Sequence, residues 1–194
     1  MTRQEIEKAI EEIADETFKR LSGNNPTTST NGGIIFPKYR SCATRVSEQE
    51  MRFAFVEEMR RECPDWYYSV ETPTDKKYLF KGEPCIVPEE EEGGQSAQFD
   101  LTIYEDSKGD KVLAHIEFKA HNPDIHEMKK DFLKLAEDKT VDTGIERVFI
   151  HLFKSFHQKT HKSIMGKLEE CKSNNVHYLC YSIEEHEGKH KIKF

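Results

Sequence analysis

The 194-residue sequence has no run of about eighteen apolar residues and no charged-then-apolar leader, so neither a membrane span nor a signal peptide is expected. Its five cysteines (Cys42, Cys63, Cys85, Cys171 and Cys180) are odd in number, scattered, and never form C-x-x-C. That argues against a disulfide framework or a zinc finger and for a reducing, cytoplasmic setting. There is no GxxxxGK(S/T), which leaves an intrinsic P-loop motor unsupported, and no H-E-x-x-H. His157 and His161 have a zinc-like spacing but no evident third ligand, so surface or DNA contact fits them better. No internal repeat is present.

What is there is charge. Hydrophobic residues make up 36% and charged residues 34%, the balance of a globular domain with a charged surface. The net charge of −7 disfavours a nucleic-acid partner at face value. Its distribution alters that reading, because residues 1–100 carry 13 basic and 20 acidic residues while residues 101–194 carry 16 of each. Within 147–168, Arg147, Lys154, Lys159, Lys162 and Lys167 stand with three histidines and no acid. Such a strip can hold phosphate even on an acidic protein. Any one of its lysines also fits a solvated helix face.

Along the chain, Ile6, Ile10, Ile13, Phe18 and Leu21 repeat with a helical period that stops before Gly23. Residues 1–23 are therefore expected as an N-terminal helical appendage, for packing or dimerisation, and 24–45 as a linker with a short extended piece. From residue 46 to 194 the pattern reads helix, strand, strand, strand, helix, strand, helix, strand. That order defines an α/β domain with a mixed sheet. Ser47 with Glu50 three residues on has capping-box spacing at the start of the first of these helices. The first strand is expected to end at Pro73, and 74–96, with its acidic run at 89–92, reads as a long loop with a short strand near 78–80.

The stretch "QFDLTIYEDSKGDKVLAHIEFKA" at 98–120 reads as a β-hairpin turning at Ser107–Gly109. Alternation puts Phe99, Leu101 and Ile103 on one face with Ala114, Ile116 and Phe118, and Asp100 on the other with Glu117 and Lys119. A one-residue slip would bury Asp100 among Ile116 and Phe118. Asp100 then stands nearly opposite Glu117, with Cβ atoms ~5 Å apart. Two carboxylates so close suit a hard divalent ion such as Mg²⁺. A solvated polar face is the alternative on these residues alone.

With "FD" at Phe99–Asp100, "EFK" at Glu117–Lys119 and the element order over about 46–153, the chain resembles the PD-(D/E)XK nuclease superfamily, the restriction-endonuclease-like fold. It departs in having Phe99 where the name-giving proline stands. The resemblance implies a restriction-endonuclease-like mixed β-sheet core flanked by α-helices, and Mg²⁺- or Mn²⁺-dependent hydrolysis of DNA phosphodiester bonds by activated water. Asp100, Glu117 and the carbonyl of Phe118 would hold the metal, and Lys119 would orient the water and stabilise phosphate charge. Of the helix acids Glu48 and Glu50, Glu50 lies deeper and is preferred as the further catalytic and metal-organising acid, for a second ion or for the first ion's waters. Lys134, Lys154, Lys159 and Lys162 are weak candidates for phosphate contact, with surface solvation favoured for Lys134. Some relatives carry an iron–sulfur cluster, but the cysteine spacings here do not fit one. Expected partners are DNA, a second copy of the chain and a protein of a DNA-processing system. An inactive binding module or subunit of a DNA-processing or defence system, keeping the same fold, is the rival expectation.

Overall fold

In the computed structural model, which describes residues 1–22, 34–42, 45–79, 94–137, 144–155, 157–171, 175–186 and 189–192, the hairpin forms between β2 (Gln95–Tyr104) and β3 (Val112–Ala120). The Asp106 carboxylate organises the turn by accepting the N–H groups of Lys108 at 2.8 Å and Lys111 at 2.7 Å. Gly109 takes the φ of 76° that closes it. Pairing is antiparallel with Leu101 opposite Ile116 and Thr102 opposite His115, the register that gathers Leu101, Ile103, Ala114 and Ile116 into one apolar layer.

Six strands form one mixed sheet in chain order. β1 (Tyr67–Tyr78) pairs antiparallel with β2, β4 (Glu146–Phe153) parallel with β3, β5 (His177–His186) parallel with β4, and β6 (Lys189–Ile192) antiparallel with β5. The parallel steps require crossovers. They run through α3 (Ile125–Glu137) and α4 (Gln158–Cys171), whose buried faces join Phe149, Phe153 and Cys180 in one core layer. α1 (Arg3–Ser22) and α2 (Glu48–Glu62) supply the other layer, against Phe118, Val148, Ile150 and Leu179. The architecture is mixed α/β, as the pattern of elements requires.

The α1 stripe enters that second layer directly. Ile6, Ile10, Ile13 and Phe18 are buried, and the Phe18 ring stacks on Tyr181 of β5 at 5.2 Å. Midway along α1, Asp15 and Glu11 both bind Lys191 of β6, at 2.9 and 2.6 Å. Of the linker expected over 24–45, residues 24–33 and 43–44 lie outside the described residues, as does the acidic run at 89–92.

Several local expectations are corrected. β1 passes through Pro73 to Tyr78 with a register irregularity between Pro73 and Lys77. It tolerates the proline because it is the edge strand, where a missing N–H can face away from the ladder. β6 was not expected at all. Ser47 occupies the N-cap position of α2 with extended backbone, but its hydroxyl makes no capping bond. Glu50, its expected partner, instead accepts from Arg45 at 2.6 Å. Phe99 does not share a face with Leu101, for it belongs to the α3-side layer, its ring stacked 4.0 Å from that of His115. Across from this break, Glu71 of β1, between the Val70–Leu101 and Thr72–Phe99 pairs, adopts a φ of 52°.

The basic strip also divides. Arg147 and His151, on a strand buried along its whole length, are each 1% exposed or less, so they face no phosphate. Lys159 and Lys162 are exposed on α4, Lys154 is half-buried, and Lys167 is turned onto Asn122 and the carbonyl of Pro123.

Candidate active site

β2 and β3 are laddered as far as Leu101 and Ile116. At the next position Asp100 replaces a ladder carbonyl: its Oδ2 accepts the N–H of Phe118 at 2.8 Å. The acid is thus fixed where the two strands part, one end facing Arg52 of α2 at 3.9 Å. Arg52 is held in turn by Glu71 at 2.7 Å.

Beyond that point Glu117 and Lys119, two residues apart on β3, meet α3. A reciprocal capping box starts this helix: the Asp124 carboxylate accepts from Glu127 N at 2.8 Å and Glu127 accepts from Asp124 N at 3.3 Å. Its apolar stripe of Met128, Phe132 and Leu135 seats it on the sheet. Asp131 and Lys134, one turn apart, face the sheet as well. Lys134 Nζ lies 2.6 Å from Glu117 and 2.9 Å from Asp131. The other Asp131 oxygen lies 2.8 Å from Lys119. Glu48, the first residue of α2, completes the cluster, 3.8 Å from Lys119 and accepting from Ala120 N at 3.3 Å.

Acids and bases therefore alternate along Glu48, Lys119, Asp131, Lys134 and Glu117, with Asp100 beside them. Burial, chiefly, raises the pKa of Glu117 well above the usual carboxylate range, and neighbouring Asp131 raises it further. Burial likewise raises Asp100 and Glu48 against the pull of Lys119. For both lysines burial works to lower the pKa. The Asp131 charge on Lys119, and the Glu117 and Asp131 charges on Lys134, outweigh it and hold both ammoniums above their ordinary value. Both lysines are cations in this arrangement.

Of the residues singled out from sequence, Asp100, Glu117, Phe118 and Lys119 come together. Glu50 does not join them, being held by Arg45, and Glu48 is the helix acid that does. Lys134 is 5% exposed and ion-paired, not solvated. His121 follows the end of β3 with a φ of 65° and turns its ring to the carbonyl of Val46, 3.0 Å away, not into the cluster. Asp131 was not recognised as a site residue. Its signal was its place in the helical stripe, three residues after Met128 and four before Leu135, where only a buried side chain can stand.

The donor set fits a divalent cation by type and by charge. Four carboxyls (Glu48, Asp100, Glu117, Asp131) meet two ammoniums (Lys119, Lys134), an excess of two negative charges when all four acids are ionised. Oxygen ligands of this kind suit Mg²⁺ or Mn²⁺. A tighter three-ligand grouping among the described residues, Glu7, Glu146 and His177 within 4.8 Å, lies at the N-terminal ends of β4 and β5. There Glu146 already carries Arg3 at 2.8 Å, and no catalytic cluster accompanies it.

The chain matches no protein-family model, no curated protein and no solved structure.

Proposed function

We propose that the protein is a divalent-metal-dependent nuclease with a restriction-endonuclease-like core, hydrolysing DNA phosphodiester bonds at the Asp100–Glu117–Lys119 cluster. The observation that carries this reading is the parting of β2 and β3 at Asp100, whose carboxylate takes the N–H of Phe118 between Glu117 and Lys119 on the facing strand. The element sequence from α2 through β4 supports it as well.

In this reading Asp100, Glu117 and the carbonyl of Phe118 would hold Mg²⁺ or Mn²⁺, with Glu48 beside Lys119. The ion, when bound, supplies a Lewis acid for the phosphate and a more acidic water. Lys119 presents a fixed ammonium to the developing negative charge, with Asp131 holding its direction and Glu48 at its open side. Lys159 and Lys162, exposed on α4, are the surface lysines available to phosphate.

The assay is incubation of plasmid, linear and single-stranded DNA with the protein and Mg²⁺ or Mn²⁺, alongside Asp100→Ala and Lys119→Ala. Both substitutions are expected to abolish cleavage, and cleavage surviving in both would remove the site assignment. A non-catalytic DNA-binding module of the same fold is the second reading. The observation on its side is that Lys119 and Lys134 already have carboxylate partners. DNA retention without cleavage, and without metal binding, selects it.

A further inference from the structure

Three oxygens converge on one side-chain nitrogen behind the motif. Lys134 Nζ lies 2.6 Å from Glu117 Oε1, 2.9 Å from Asp131 Oδ1 and 3.0 Å from the backbone carbonyl of Gln98. Two of these contacts are ion pairs and the third, to the Gln98 carbonyl, is a hydrogen bond. The cage draws on both strands of the hairpin and on α3, and the charged side chains in it are each 5% exposed or less. Carboxylate and carbonyl oxygens so placed are the ligands that a hard divalent ion takes, yet a lysine fills the position.

We propose that Lys134 is a resident cation: its ammonium stands beside Glu117 where a second metal ion would bind, so that the Asp100–Glu117 site admits one divalent ion. The inference rests on the metal-dependent reading above. With all four carboxyls ionised, as around a bound ion, two negative charges remain beyond the two ammoniums, the complement of one such ion. Two of the nearby acids are already paired. Glu50 is bound to Arg45 at 2.6 Å, and the remaining Asp131 oxygen is bound to Lys119 at 2.8 Å. Lys134 is a positioning residue in this role, since it fixes one Glu117 oxygen and leaves the other for the ion.

The test is calorimetric titration of Mn²⁺ into the full chain without DNA. Both proteins carry Glu7→Gln, so that the Glu7, Glu146 and His177 grouping does not contribute. One ion per chain is expected with Lys134 present and two in Lys134→Ala, where the three oxygens are released. Two ions with Lys134 present, or one in both proteins, overturn the resident-cation role and leave the metal-dependent reading standing. No ion with Lys134 but one in Lys134→Ala keeps the role and removes that reading, and none in either removes both. Should Lys134→Ala not fold, the Lys134 ammonium is followed by nitrogen NMR in the Glu7→Gln chain. Its signal is the buried one that persists in Lys119→Met. It is expected to stay in slow exchange with water at saturating Mg²⁺, and its loss overturns the proposal.

Discussion

The carboxylate of Glu48 stands 3.8 Å from the ammonium of Lys119, although α2 packs on the face of the sheet that carries Phe118 and Lys119 points to α3 on the other. Contact is made around the end of β3, where Glu48 also takes the N–H of Ala120. Glu50, half a turn further along α2, faces Arg45. Glu48→Gln is expected to lower the cleavage rate by about 10–100-fold, the usual cost of losing a group that orients metal ligands or the residues around them. Glu50→Gln removes a partly exposed ion pair worth about 1 kcal/mol or less and should leave the rate nearly unchanged. Single-turnover cleavage by the two variants decides the assignment, and an equal loss in Glu50→Gln counts against it.

Asp100 gives a second expectation that is read without DNA. Its carboxyl is raised mainly by burial, so the charged form is costly until a cation arrives. Mn²⁺ should therefore raise the melting temperature, by an amount corresponding to about 2.7 kcal/mol at a hundred times its Kd. In Asp100→Asn the amide oxygen can still accept from Phe118, so the metal-free protein should melt no lower than wild type while the Mn²⁺ shift disappears. Equal Mn²⁺ shifts in the two proteins would move the ion elsewhere.

The N-terminal helix is expected to behave as core. Phe18 is 5% exposed and stacked on Tyr181, and Ile10 is fully buried. Phe18→Ala should cost about 3–5 kcal/mol and Ile10→Ala about 2–5 kcal/mol. Urea denaturation measures both. A cost near zero for either would mark α1 as a detachable appendage.

The hairpin register was legible over 101–103 and 114–116, where a one-residue slip would have reversed every side chain, but not the one-residue shift between Ile103 and Tyr104 that pairs Tyr104 with Val112. The helices followed from their stripes in the same way. Phe99 was not legible, since it lies beyond Asp100, where β2 leaves the ladder with β3. Nor was Arg147, whose position inside an all-buried strand overrides the preference of arginine for the surface. Lys134 looks like a surface lysine until Glu117, seventeen residues earlier, is known to meet it. The choice between Glu48 and Glu50 turned not on where the helix begins, which Ser47 marks, but on which acid reaches Lys119 around the end of β3 while the other meets Arg45.

Two buried histidines make the fold sensitive to acid. His151 Nε2 lies 2.6 Å from the carbonyl of His121, which can only accept, so that nitrogen carries the proton and Nδ1 accepts from the Tyr178 hydroxyl. His115 Nδ1 faces the Thr102 hydroxyl at 3.0 Å. Burial, aided by the positive charge of Arg147 at His115 and of Lys119 at His151, lowers both to about 3. An unfolded histidine titrates near 6.5. Between these values the unfolded chain takes up protons that the folded one refuses. Their contribution is therefore complete above pH 6.5 and lost as the pH falls toward 3, at up to about 1.4 kcal/mol per pH unit for each histidine. The raised carboxyls Glu48, Asp100 and Glu117 act in the opposite direction, so the histidine effect is read as a difference between proteins. His151→Gln keeps a donor toward the His121 carbonyl and has no titrating ring. Urea midpoints from pH 7.5 to 4.5 should show the gap between wild type and His151→Gln narrowing or reversing as the pH falls. A gap that stays constant with pH would mean that His151 takes up its proton in the folded protein as readily as in the unfolded chain.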